Sequence, residues 1–306
     1  MRFSIFQDSR KGGRKLNEDR MGYSFTRDAL LLVICDGMGG HHGGEIASQL
    51  TLEMITARFQ REATPILRNP PTFLEDAFLE VHQALHAKSR VDGLPETPRT
   101  TAVACIIQHD TAFWVHAGDS RLYVFREHAM LAKTRDHSKL NALVDRGISI
   151  GADAERHPDR SKVFNCLGSP ADPLVEHSTP LLLKSGDHIF LCTDGVWSSL
   201  PDGLISTQLA NHPVARAVPD LLEAALAQAG PKSDNATALA VQWLGESRRP
   251  EAGSVSTALM QGASFESTVQ VSQDANAMPH LTDKELDAAV AEIQHAIKRA
   301  DSKVKI

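Results

Sequence analysis

The sequence predicts an α+β fold, with helices gathered in blocks outside strand pairs rather than alternating with parallel strands. Two observations predict it. Short apolar runs bounded by turn residues lie close together in the chain, at 102–107, 112–117 and 121–125, with gaps that suit hairpins. The helix-like periods fall in two blocks, 43–90 and 204–229, so no strand–helix–strand relay is written in the chain.

Taken in order, Leu30–Cys35 is the first strand expected from its apolar run. Gly43 to Phe59 reads as a helix, with Ile46, Leu50 and Met54 four apart. Thr72 to Arg90 reads as a second helix. Thr72 and Glu75 form a capping box after Pro70-Pro71, and Leu74, Phe78, Val81 and Leu85 form its stripe. Strands are expected at Ala102–Ile107, Ala112–Ala117, Arg121–Phe125 and Ile189–Thr193. Helical segments are expected at Leu204–Leu209 and Val214–Ala229, before a last strand at Ala236–Trp243.

This pattern makes residues 1–245 one domain. Within it, residues 138–170 are richer in charge and lack a long apolar run. Residues 246–280 hold many Ser, Gly, Ala, Gln and Pro, the composition of a flexible linker. Residues 281–306 regain a helical period. Thr282-Asp283-Lys284-Glu285 is a capping box, and Leu286, Val290, Ile293, Ile297, Ala300 and Val304 form one stripe. That amphipathic helix is expected either to dock on the domain or to engage a partner protein or a second copy of the chain.

Composition narrows the function. The 306 residues are 42% hydrophobic with a net charge of −6, and Lys and Arg are scattered, which argues against nucleic-acid binding. Met1–Phe6 is too short for a signal-peptide core, and no apolar stretch approaches the length of a membrane span. Cys35, Cys105, Cys166 and Cys192 show no metal-ligand spacing, and three of them lie inside apolar runs. They read as core thiols in a reducing compartment, so a cytoplasmic location is expected.

Aspartates recur beside these apolar runs. Asp36 follows Leu30–Cys35, Asp119 follows Ala112–Ala117, Asp194 follows Ile189–Thr193, and Asp234 precedes Ala236–Trp243. One such residue is explained by a helix cap or an Asx-turn. Four at strand ends converge in space if the strands share a sheet, and hard oxygen ligands suit Mg²⁺ or Mn²⁺. The glycines after Asp36 resemble a phosphate cradle, but no Gly-Lys-Ser/Thr follows and no G-x-G-x-x-G is present. His41 and His42 are metal ligands by type; adjacent loop histidines more often face solvent.

Five motifs keep a fixed order: Arg14-Lys15-Leu16-Asn17-Glu18-Asp19, Asp36-Gly37-Met38-Gly39-Gly40-His41, Gly118-Asp119-Ser120-Arg121, Asp194-Gly195-Val196-Trp197 and Asp234-Asn235-Ala236-Thr237. With Arg99-Thr100-Thr101-Ala102, Thr134-Arg135-Asp136-His137-Ser138 and Gly186-Asp187, this set resembles the metal-dependent serine/threonine protein phosphatases of type 2C, the PPM family, in their bacterial form. The resemblance spans roughly residues 1–245. It implies two packed antiparallel β-sheets flanked by helices, with residues 138–170 as a flap beside the active site.

It also implies roles. Asp36 bridges two ions, the Gly37 carbonyl joins one of them, Asp194 and Asp234 hold one ion, and Glu18 steadies the other through water. Asp119, with Asp194, holds a third and weaker ion. Arg14 clamps the phosphate, while Asn17, Asp19 and Asn235 brace the ligands. The expected cofactors are two, or three, Mg²⁺ or Mn²⁺ ions, and the expected reaction is hydrolysis of phosphoserine and phosphothreonine by metal-activated water. Phosphorylated proteins, a serine/threonine kinase among them, are the expected substrates. Met38 departs from animal members, which carry a proton-donating His there; methionine donates none. Two other function classes fit parts of the chain. A dead phosphoprotein-binding module should have lost carboxylates, and none is missing. A partner-switching adaptor would use the helix at 281–306.

Overall fold

A computed structural model of the chain describes residues 1–38, 43–145 and 162–245. The linker and the amphipathic helix expected at 246–306 lie outside the described residues, as do Gly39, Gly40, His41, His42 and the middle of the expected flap.

The elements in chain order are β1 (Arg2–Arg10), β2 (Asp19–Phe25), β3 (Ala29–Met38), α1 (Gly44–Glu62), α2 (Pro70–Val91), β4 (Arg99–Gln108), β5 (Thr111–Ala117), β6 (Arg121–Arg126), β7 (Ala129–Lys133) and α3 (Lys139–Asp145). They continue with β8 (Glu176–His177), β9 (Leu181–Leu182), β10 (His188–Cys192), α4 (Asp194–Trp197), α5 (Asp202–Asn211), α6 (Val214–Ala229) and β11 (Ala236–Gly245). Pairing is antiparallel throughout. One sheet has the order β1-β11-β10-β6-β7 and the other β2-β3-β4-β5-β8, with β9 also on the free edge of β5.

The two sheets pack face to face. Leu30, Leu32 and Ile34 of β3 meet Val103 and Cys105 of β4, and across the interface Leu122, Val124, Ile189, Leu191, Leu239 and Val241 of the other sheet. Alternate residues of β3, namely Leu31, Val33 and Cys35, point the other way, against α1 and α2. Helices α4, α5 and α6 cover the outer face of the second sheet over Phe125, Phe190 and Ala240. Both faces of each central strand are therefore buried. That is why β3 reads as an unbroken apolar run instead of an alternating one.

Two details of the helices differ from expectation. The cap of α2 is Asn69, whose side chain accepts from the Thr72 N–H at 3.4 Å, with prolines occupying the first turn. Thr72 lies inside the helix, so the Thr72–Glu75 capping box does not form; proline at the first helical position lets the helix start earlier. In α1 the buried face is Ala47, Ser48, Thr51, Leu52, Ile55 and Phe59, while Leu50 and Met54 are only partly buried. Small residues on this face let the helix lie close to β2 and β3. Gly22 continues that approach, since a Cβ there would stand 3.0 Å from Leu52. No helix among the described residues is long and apolar enough to cross a membrane.

Candidate active site

One end of the sandwich collects strand ends from both sheets. The β2–β3 ladder sets Asp19 opposite Asp36, and the next ladders set Asp36 opposite Thr101 and Ala102 opposite Ala117. In the other sheet Cys192 lies opposite both Ala238 and Arg121, and Arg10 opposite Ala236. Antiparallel register thus carries Asp36, Asp119, Asp194 and Asp234 to the same end, from strands that are far apart in sequence.

The charge environment shows how close they come. Burial pushes the Asp36 carboxyl well above the usual carboxylate range, and Asp19, Asp194, Asp119 and Asp234 push it further. Asp194, within hydrogen-bonding reach of Asp36, is pushed up to about 6 by burial and by Asp234, against the pull of Arg14. Burial and Asp194 raise Asp119 well above its ordinary value. Burial likewise lifts Asp19 to about 7 and raises Glu18, although Arg14 pulls Glu18 down. Buried carboxylates so close together are costly without a positive partner. Their oxygens form a hard, anionic donor set, which fits Mg²⁺ or Mn²⁺.

Arg14 lies over this cluster. Its guanidinium pairs with the Asp234 carboxylate at 2.5 Å while the side chain stays 60% exposed, so the fork borders both carboxylates and solvent. Glu18 sits just behind. Its carbonyl accepts from the Gly37 N–H at 3.2 Å and from Ser48 Oγ at 2.5 Å. Gly37 is required by close approach: a Cβ there would stand 2.2 Å from the Gly44 carbonyl oxygen and 2.8 Å from that of Glu18.

Asn17, Asp19 and Asn235 each make hydrogen bonds at this end of the sandwich. Asn17 Nδ2 donates to Ser9 Oγ at 2.8 Å, and Asn17 Oδ1 accepts from the Asp19 N–H at 3.2 Å. Asp19 Oδ2 accepts from Thr193 Oγ1 at 2.8 Å, a bond that joins the two sheets directly behind Asp36 and Asp194. Asn235 Nδ2 donates to the carbonyls of Lys11 and Leu16 at 2.8 and 2.9 Å.

Several contributors were not singled out from sequence. Thr193 Oγ1 accepts from the Thr237 N–H at 3.1 Å while it donates to Asp19. Trp197 Nε1 donates to the Asp119 carbonyl at 2.9 Å. Its ring carries the Arg121 guanidinium 3.7 Å above it, and Arg121 is gripped by both oxygens of Asp136 at 2.7 Å. Trp197 and Arg121 each stand within a quoted motif, so position was the only available signal.

A sequence model of the protein phosphatase 2C family matches residues 7–244. The chain belongs to that family. The serine/threonine protein phosphatase PstP of Mycobacterium tuberculosis is 32% identical over 225 residues, which are 73% of this chain and 41% of that protein. This chain thus spans under half the length of that curated relative. The serine/threonine phosphatase stp of Listeria monocytogenes is 30% identical over 205 residues, covering 64% of this chain and 79% of its own. Among solved structures, the M. tuberculosis PstP/Ppp crystal structure is similar with a TM-score of 0.70 and 30% identity, over 79% of this chain and 99% of that one. The PstP catalytic domain in complex with two manganese ions is similar with a TM-score of 0.66 and 28% identity, over 79% of this chain and 98% of that one. The type 2C fold therefore extends over nearly all the described residues. Its carboxylate-lined end is where the sequence motifs converge.

Proposed function

We propose that the chain is a Mg²⁺- or Mn²⁺-dependent phosphatase that hydrolyses phosphoserine and phosphothreonine in proteins, a serine/threonine kinase among its substrates. The observation that carries this reading is the gathering of Asp36, Asp119, Asp194 and Asp234 at one end of the sandwich, with Arg14 beside them. Membership of a phosphatase family supports it.

In this reading Asp36 would serve both of two divalent ions and the Gly37 carbonyl one of them; Asp194 and Asp234 would hold one ion, Glu18 would steady the other through water, and Asp119 with Asp194 would hold a third. Divalent ions held there supply the charge that activates water and neutralises the phosphoryl oxygens. Arg14 presents a planar fork that holds two phosphate oxygens and orients the phosphoryl group. Burial of Asp36, Asp119 and Asp194 keeps the carboxylates in a site of low dielectric, where each is worth more than in water. Met38 offers no proton to the departing serine or threonine oxygen. The four cysteines are free and buried, which supports a reducing, cytoplasmic setting.

The test is hydrolysis of p-nitrophenyl phosphate and a phosphothreonine peptide with Mn²⁺, Mg²⁺ or EDTA. Activity should appear with either ion and vanish in EDTA. Full activity in EDTA would contradict the reading.

A further inference from the structure

His137, in the motif Thr134-Arg135-Asp136-His137-Ser138, is buried beside the turn that carries Asp119. It holds both peptide groups of Gly118. Its backbone N–H donates to the Gly118 carbonyl at 2.9 Å, and its ring Nδ1 accepts from the Gly118 N–H at 3.1 Å. Gly118 has φ of +116°, and a Cβ there would lie 2.5 Å from Thr101 Cβ. The turn at Gly118 thus depends on a glycine backbone in a conformation that other residues rarely adopt. Its polar groups are met by the ring and the backbone N–H of one residue from another segment.

The proton positions on this ring follow from its partners. Asn165 Oδ1 accepts from the Leu174 N–H at 2.9 Å, which fixes the amide orientation. Asn165 Nδ2 then donates to His137 Nδ1 at 2.6 Å. Two donors point at Nδ1, so the ring proton sits on Nε2, which donates to Glu176 Oε2 at 3.1 Å. His116 stacks on His137 at 4.6 Å between ring centroids, and its own Nε2 donates to the Arg135 carbonyl at 2.8 Å.

His116, His137 and Glu176 place one ligand atom each within 4.8 Å of one another, a spacing that suggests a cation site. The hydrogen bonds argue otherwise. A metal needs a bare ring nitrogen, and His137 has neither: Nδ1 takes two donors and Nε2 carries the proton.

We propose that His137, its ring oriented by Glu176 and Asn165, is a positioning residue that fixes the peptide groups on both sides of Gly118, the ring holding the Ala117-Gly118 N–H and the backbone N–H holding the Gly118-Asp119 carbonyl, and thereby aims the Asp119 carboxylate. The proposal rests on the reading of Asp119 as a cation-holding residue. Trp197 secures the far side of the same unit through the Asp119 carbonyl. The orienting partners of metal ligands tune affinity even when they do not touch the ion.

The test compares the full chain with His137→Ala, His137→Asn, His137→Gln and Asp119→Ala, by calorimetric Mn²⁺ titration and by the Mn²⁺ dependence of p-nitrophenyl phosphate turnover. Asparagine places an acceptor where Nδ1 stands; glutamine reaches toward Nε2 and leaves the Gly118 N–H unmet. His137→Ala and His137→Gln should weaken the weakest Mn²⁺ binding phase by about 10-fold or more. His137→Asn should stay close to wild type. Equal behaviour of the Asn and Gln variants would overturn the proposal even if the Ala variant failed to fold. If Asp119→Ala shifts the Mn²⁺ dependence and no His137 variant does, only the positioning role fails. If Asp119→Ala is silent, the reading of Asp119 fails and takes this proposal with it. Zn²⁺ that co-purifies with the wild type and is lost in His116→Ala would overturn it in favour of a metal site.

Discussion

The backbone N–H of Glu18 donates to Asn235 Oδ1 at 2.9 Å, so the loop that carries Arg14 and Glu18 is held by a side chain 217 positions later. The same amide donates to the carbonyls of Lys11 and Leu16. Asn235→Ala removes three hydrogen bonds, each worth about 1 kcal/mol net. It should lower stability by about 2–3 kcal/mol and weaken Mn²⁺ binding, read by denaturant melts and calorimetry. Asn235→Asp should be worse in activity, because its second oxygen would face two carbonyls.

Asp36→Asn should reduce turnover by about 100-fold or more, the scale on which a preorganised electrostatic group acts. In EDTA its melting temperature should equal or exceed that of the wild type. The Asp36 carboxyl titrates above its ordinary value in the fold, so the folded protein binds a proton that the unfolded chain releases. That stability is present below about pH 4 and is lost as pH rises through the folded value. Asparagine is neutral throughout, so the metal-free variant should lose less stability than the wild type between pH 5 and 8. A lower melting temperature across that range would contradict this account.

Arg14→Ala should raise KM for a phosphothreonine peptide by about 10-fold with a smaller change in kcat, because a charge-assisted hydrogen bond to bound phosphate is lost. Steady-state kinetics at saturating Mn²⁺ would show it. Unchanged KM and kcat would leave Arg14 as a surface cation only.

His188, at the start of β10, is buried with no hydrogen-bond partner at either ring nitrogen among the described residues. Burial holds its pKa below the ordinary histidine value. The unfolded chain therefore takes the proton first, and stability present above pH 6.5 is lost as pH falls. His188→Leu should cost nothing at pH 7.5, since an unmet buried polar group is removed, and should be the more stable protein at pH 5.5. Thermal melts at the two pH values decide; a loss above about 1 kcal/mol at both would show that the ring has a partner.

Much of this architecture was legible because burial on both faces leaves continuous apolar runs. β3, β4, β5, β6, β10 and β11 each appear in the sequence as such a run. The first two strands were not read. β1, Arg2–Arg10, is an edge strand whose few apolar residues, Phe3, Ile5 and Phe6, stand among polar ones and make no continuous run. The Asn69 cap was missed because Thr72 and Glu75 offered a competing local pattern. Asp36, Asp119, Asp194 and Asp234 were legible as a set, each tied to a run. What fixes them was not: Thr193 to Asp19, Trp197 to Asp119 and His137 to Gly118 are contacts that only the register of two sheets creates.

The most direct test of the central claim, that Asp36 is shared between two cations, is a Mn²⁺ titration followed by electron paramagnetic resonance. The wild type should take up at least two ions per chain and show an exchange-coupled pair, as expected for ions about 3.5–4 Å apart, and Asp36→Asn should lose the coupling. A wild-type spectrum of isolated, uncoupled Mn²⁺ at every stoichiometry would contradict the account.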